Sequence, residues 1–247
     1  MTQVSTQSQT LLTEDIEVHR QALTGYCYRM LGSGAEAEDA VQETMIKAWR
    51  AADNFEGRSS VRSWLFSIAT NVCIDMGRSR QRRARPMDLG PARTPDPVHL
   101  SDVLPEHAWI TPIADERVID LHGDPAEVIA ARDTIRLAFV AALQRLPARQ
   151  RAALVLCDVL RWPSSEVAEL LGTSMPSINS ALQRARATMA ESAPTPMPAE
   201  ALTDDQQRLL ARYVDAFERY DMDALSRLLH DDVIQTMPPY AMWLQGC

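Results

Sequence analysis

Apolar residues recur at helical spacing along three separate stretches of the chain, with breaker-rich segments between them. Over 35–51, Ala40, Val41, Met45, Ala48 and Trp49 fall at i, i+1, i+5, i+8 and i+9, the buried stripe of one amphipathic helix. Its other side carries Asp39, Gln42, Glu43 and Ile46 at i, i+3, i+4 and i+7, and an isoleucine among polar groups hints at a partner. A second helix is predicted after the loop at 54–60, capped by Ser59 or Ser60, with Trp64, Leu65, Ile68, Val72 and Met76 turned inward. Farther on, Ser164–Leu171 and the helix around Pro176 read as a helix-turn-helix. Val167, Ala168, Leu170 and Leu171 are the apolar set of its first helix, and Gly172 sits where the chain must leave that helix. Thr173 or Ser174 caps the second helix, which buries Ile178, Leu182 and Ala185. Ser177, Asn179, Ser180, Gln183 and Arg184 then face outward, all able to bond base edges or phosphates.

The breakers divide the chain. Seven of the fifteen prolines lie between 86 and 125, among many acids, which is the composition of an extended linker without a core of its own. A shorter break follows at 193–200, and the tail from 203 is helical and then strand-like. The expected organisation is a helical domain over 11–85, a linker over 86–126, a second helical domain over 127–191 and a small tail over 203–247.

Charge sharpens this picture. The net charge of -8 argues against a general polyanion binder, yet 58–93 holds eight arginines against Asp75 and Asp88, and 145–186 holds six against three acids. Arginine's planar fork suits phosphates and guanine edges. The four cysteines lie far apart with no paired spacing, so neither a disulfide framework nor a zinc site is expected, and no cofactor or metal. No apolar run reaches the roughly 18 residues of a membrane span, and the polar N-terminus has no signal-peptide pattern, so a cytoplasmic location is expected.

The strings AEDAVQETMIKAWR, FEGRSSVRSWLFSIATNVCID and LPARQRAALVLCDVLRWPSSEVAELLGTSMPSINSALQRAR, in this order and separation, resemble the extracytoplasmic-function (ECF) sigma factors of bacterial RNA polymerase. The resemblance implies an all-α fold: a region 2 helical bundle and a region 4 helix-turn-helix joined by an extended linker. It implies a monomer when free, with core polymerase (its beta-prime clamp and beta flap), promoter DNA and an anti-sigma protein as partners, and no membrane. Asp39, Gln42, Glu43 and Ile46 would grip the polymerase. Phe55, Arg58, Ser59, Asn71, Asp75, Arg78, Arg80, Arg82 and Arg83 would hold the melted −10 strand, where unstacked bases can be captured. Ser177, Asn179, Ser180, Gln183, Arg184 and Arg186 would read the −35 element. The acidic linker would thread the polymerase channel.

Two departures stand out. Pro163 occupies the position where relatives often have a capping serine, which moves the expected cap to Ser164, and Asn179 and Ala181 stand where others often carry arginine. The tail resembles the opening of a SnoaL-like domain, a cone-shaped α+β fold, with two helices and one strand and without the remaining strands. Two other function classes compete. A stand-alone helix-turn-helix regulator would leave the 35–85 strings without purpose. An enzyme would have to draw its acid–base pair from Asp215, His230 and Asp231, and no catalytic residue is expected.

Overall fold

The structure, a computed structural model, describes residues 17–55, 57, 59–78, 91–94, 96, 103, 105, 108–122, 124–192, 203–236, 240 and 242–246. The chain divides into two compact units, Met1–Ala84 with His107–Pro194, and Arg85–Glu106 with Thr195–Cys247.

The first unit opens with three helices: α1 (Arg20–Leu31), α2 (Gly34–Ala51) and α3 (Val61–Arg78). Gly32 takes φ 76°, a left-handed value that favours glycine, so the chain reverses in a single step and Ser33 caps α2. Leu23, Tyr26 and Met30 of α1, Ala40 and Val41 of α2, and Leu65, Phe66 and Val72 of α3 form their shared core. A buried hydroxyl pair in it is mutually satisfied, with Tyr26 Oη 2.7 Å from Thr70 Oγ1. Cys27 and Cys73 are buried free thiols in the same core, and their mutual hydrogen bond, with burial, raises the Cys73 thiol well above its usual range.

The linker expectation meets a difference here. Residues 108–122 are packed on α1 and α2. Tyr28 donates its hydroxyl to Thr111 O at 2.9 Å, Thr111 N–H bonds Gly32 O at 3.0 Å, and Gln21 donates to both Glu116 O and Ile119 O at 2.8 Å. Trp109, Val118 and Ile119 are buried. Proline and acidic content marked this segment as coreless, but its few large apolar residues find a core belonging to another element.

The second helical block follows: α4 (Pro125–Asp133), α5 (Leu137–Gln144), α6 (Ala148–Leu154) running into a π turn at Val155–Val159, α7 (Ser164–Leu170) and α8 (Met175–Ser192). The cap predicted at Ser164 is absent. Pro163 itself holds the N-cap position with no side-chain bond, its lack of an N–H costing nothing at a helix start. Two arginines, Arg29 buried and Arg151 half-buried, join this block to α1. Arg29 donates to Gly25 O at 2.7 Å and to Thr134 Oγ1 at 2.6 Å, and burial lowers its pKa to about 10. Arg151 reaches Met30 O and donates to Gln144 Oε1 at 2.6 Å.

The second unit contains α9 (Asp204–Glu218), α10 (Met222–Ser226), β1 (Ile234–Thr236) and β2 (Trp243–Gln245). Thr203 and Gln206 close a reciprocal capping box at the start of α9. The single strand expected in the tail is corrected to an antiparallel pair, Gln235 opposite Leu244, because residues 243–245 return to satisfy the first strand's backbone. Arg93 N–H bonds Trp243 O at 2.9 Å, and Val103 bridges Tyr240. An open cavity of about 730 Å³ lies among Tyr213, Phe217, Tyr220, Leu229, Val233 and Leu244. No helix among the described residues is long and apolar enough to cross a membrane.

Candidate nucleic-acid interface

Three exposed surfaces of the first unit carry the predicted site residues. On α2, Asp39, Gln42, Glu43 and Ile46 are all exposed, the isoleucine at 44%. Glu43 reaches back along the helix to Lys47, 3.4 Å away. Trp49, read from the sequence as part of the buried stripe, is 64% exposed and extends this face instead. Ala48 fills the core position beside it, so the indole has no slot. The 39–42–43–46–49 spacing held the signal, since position 49 lies three beyond Ile46. A large apolar residue beside an exposed isoleucine and flanking carboxylates has the make-up of a protein-binding face.

The second surface lies on the loop before α3 and along that helix. Ser60 caps α3, accepting from Ser63 N–H at 3.0 Å, and fixes where the loop meets the helix. Phe55 is half-buried and packs its ring 4.8 Å from that of Trp64, tilted by 34°. Both rings thereby hold the loop against the helix. Ser59, Ser60, Ser63, Trp64 and Ser67 line a cavity of about 410 Å³ whose opposite wall is Glu166, Glu169 and Leu170 of α7. Asn71 and Asp75 continue outward along α3, both exposed, and Asp75 pairs with Arg78 at 3.2 Å. Serine hydroxyls, an amide and an aromatic platform form a surface that can hold an unstacked base. Arg58, Arg80, Arg82 and Arg83 lie outside the described residues.

The third surface is α8. Ser174 caps it, and Ser177, Asn179, Ser180, Gln183, Arg184 and Arg186 are exposed while Ile178, Leu182 and Ala185 are buried, as the pattern requires. Gly172, at φ 60°, makes the tight exit from α7. Arg186 differs from its neighbours. Both sides of its guanidinium fork are engaged by Asp158, at 2.7 and 2.9 Å, and that carboxylate raises its pKa. This pairing spans twenty-eight positions, beyond the reach of any local charge pattern.

Comparison with known proteins bears on these surfaces. Residues 16–83 match the model of Sigma-70 region 2 and residues 136–189 that of Sigma-70, region 4. The chain is 46% identical over 232 residues to the ECF RNA polymerase sigma factor SigG of Mycobacterium tuberculosis. The chain carries regions 2 and 4 of the Sigma-70 family. The SigG match covers 93% of this chain and 62% of SigG, so the chain spans somewhat less than two thirds of that relative's length. SigJ of the same organism is 32% identical over 225 residues, covering 90% of this chain and 63% of SigJ. The crystal structure of M. tuberculosis SigJ superposes with a TM-score of 0.53 at 26% identity, over 94% of this chain and 71% of that one. The α2 face and the α3 surface both fall within the region 2 match, and α8 within region 4.

The tail residues considered for acid–base chemistry are not brought together as a site. Asp215 pairs with Arg219 at 2.5 Å, and His230 with Asp232, both in exposed pairs. Among the described residues no cluster of His, Cys, Asp and Glu has the arrangement to hold a metal ion.

Proposed function

We propose that this chain is a promoter-recognition subunit that recruits bacterial core RNA polymerase, reads a −35 element with α8 and captures melted −10 bases on the α3 surface. The observation that carries the reading is the α2 face. Asp39, Gln42, Glu43, Ile46 and Trp49 form an exposed acidic and apolar row that the fold of this bundle does not need. A DNA-binding protein acting alone has no use for such a row, whereas a subunit that must be held by polymerase does. Ser177, Asn179, Ser180, Gln183 and Arg184 supply donors and acceptors for base edges, with Arg184 able to take guanine or phosphate. Ser59, Phe55 and Asn71 supply the pocket for the melted strand. The work is done by binding energy, and no reaction is assigned to the chain. The domains follow the same division, with 11–85 for polymerase and the −10 element and 127–191 for the −35 element.

The exposed α8 row favours a second reading, a regulator that binds duplex DNA without polymerase. Both are tested by titrating labelled chain with sigma-free core polymerase. The sigma reading predicts tight binding that Asp39→Ala/Glu43→Ala weakens by about tenfold or more. Absence of core binding, together with a specific shift of duplex DNA, would establish the regulator.

A further inference from the structure

Helix α8 opens on two exposed apolar residues, Met175, accessible over 50% of its surface, and Pro176. The side chains that follow on its outward surface, Ser177, Asn179, Ser180, Gln183 and Arg184, are polar, so this end is the apolar exception on the helix proposed to read duplex DNA. It is also poor in donors. The N–H groups at a helix start have no partner within the helix and are ready to bond phosphate. Here Pro176 has no N–H to give, and that of Ser177 already bonds Ser174 Oγ at 3.4 Å. The hydroxyls of Ser174 and Ser177 lie 2.9 Å apart, bonded to one another. The bond from Ile178 N–H to Ser174 O at 3.0 Å and the burial of the Ile178 side chain hold this turn in place, with Met175 and Pro176 on its outside.

A recognition helix enters the major groove with its N-terminal residues against base edges. The end that leads α8 into the groove therefore presents a thioether and a pyrrolidine ring where hydrogen-bonding groups are usual. Along the base edges the groove offers one apolar group, the C5-methyl of thymine, and its other features are donors and acceptors. Met175 set over a cytosine amine or a guanine carbonyl would strip water from that group and leave it without a partner, which weakens binding. Over a thymine methyl the same contact is favourable, and methionine's unbranched, polarizable chain can follow the shape of the methyl. Asn179, about one turn farther along, is suited to the N6 and N7 edge of adenine.

We infer that Met175 and Pro176 form an apolar tip that selects a thymine methyl in the −35 element. The thymine lies within about two base pairs of the pair read by Asn179, since four helical residues advance about 6 Å and one base-pair step about 3.4 Å. The inference rests on the proposed reading of α8 as the duplex-reading helix and adds the base feature that its first turn takes.

The test enriches duplexes from a random-sequence pool with the full chain, alone and with sigma-free core polymerase. Each thymine of the tightest-binding duplex is then replaced in turn by deoxyuridine, which removes the methyl and leaves the pairing edge unchanged. One such replacement is expected to weaken binding by the parent about fourfold, the worth of one buried methyl group. Met175→Gln/Pro176→Ala changes only exposed positions and is expected to bind the thymine and uracil duplexes alike, with thermal unfolding confirming that it is folded. Gln183→Ala is expected to keep the fourfold difference while binding both duplexes more weakly. A parent chain indifferent to every replacement, or thymine preferences that all survive in Met175→Gln/Pro176→Ala, would overturn the inference and leave the duplex-reading role of α8 standing. A pool from which neither form enriches any duplex would reject that role, and the inference with it.

Discussion

Gly25 tests whether residues 108–122 are truly part of the folded bundle. A methyl group placed on it would stand 2.8 Å from Val118 O and 2.9 Å from Arg29 Nη1. The first neighbour is backbone, so no rotamer change relieves it. Helix α1 and the 118 segment would have to part by about half an ångström, stretching the Gln21 bonds to Glu116 and Ile119 and the Arg29 bond to Gly25 O. Overpacking of this kind costs about 1–3 kcal/mol, against which alanine's better helix propensity returns up to about 1 kcal/mol. Gly25→Ala should therefore destabilise by about 1–2 kcal/mol, which is about 2–8 °C in a chain of this size. Gly77, also helical, has nothing within 4 Å of its hypothetical methyl, so Gly77→Ala should raise the melting temperature by about 1–3 °C. Both are read by thermal unfolding followed by circular dichroism, with the parent chain as reference. The opposite signs are the point. If Gly25→Ala is neutral or stabilising, Val118 does not pack on α1, and the description of 108–122 as a covering layer is wrong.

Three further outcomes are expected. Burial pushes the Tyr28 phenol up to about 12 from its usual 10, so the folded state keeps a proton that the unfolded chain loses; stability from this group is full below pH 10 and drains away toward pH 12. Buried Arg29, lowered to about 10, works in the opposite direction across that same range, so the difference between parent and Tyr28→Phe isolates the phenol. Denaturant titrations should show a shallower alkaline loss in Tyr28→Phe, and an identical slope would refute the assignment. Asp158→Ala frees the Arg186 fork and should strengthen binding of α8 to its duplex, with a salt slope steeper by about 0.9, while costing under about 1 kcal/mol of stability because the pair is exposed; an unchanged slope would mean that Arg186 meets no phosphate. Gln183→Ala should cost about 1–3 kcal/mol of discrimination at one base pair of the duplex, read by competition among single-base variants, and a uniform loss across all of them would assign Gln183 to the backbone.

Much of this was legible in the sequence, for identifiable reasons. The α8 surface followed from periodicity alone, because Ile178, Leu182 and Ala185 leave only one way to turn the helix, and Gly172 and Ser174 mark its entry. Trp49 was misplaced because a stripe drawn through neighbouring positions does not distinguish a tryptophan beside the core from one inside it, and the small Ala48 filled the slot. The packing of 108–122 was illegible for a different reason. Its apolar residues are too few to make a core, and what they bury against lies some eighty positions earlier in the chain, at Tyr28 and Gly34. The ties from Arg29 and Arg151 were hidden for the same cause: their partners are a threonine hydroxyl, an amide and backbone carbonyls, none of which a charge pattern reveals.

Run-off transcription tests the central claim most directly. Sigma-free core polymerase, the purified chain and genomic promoter fragments are combined, and transcripts are mapped with the parent, with Asp39→Ala/Glu43→Ala and with Trp49→Ala. The account predicts transcripts that require the chain, start downstream of two unlike elements, and fall sharply in both variants while the variants stay folded. Transcription that ignores the chain, or that persists undiminished when the α2 face is removed, would contradict it.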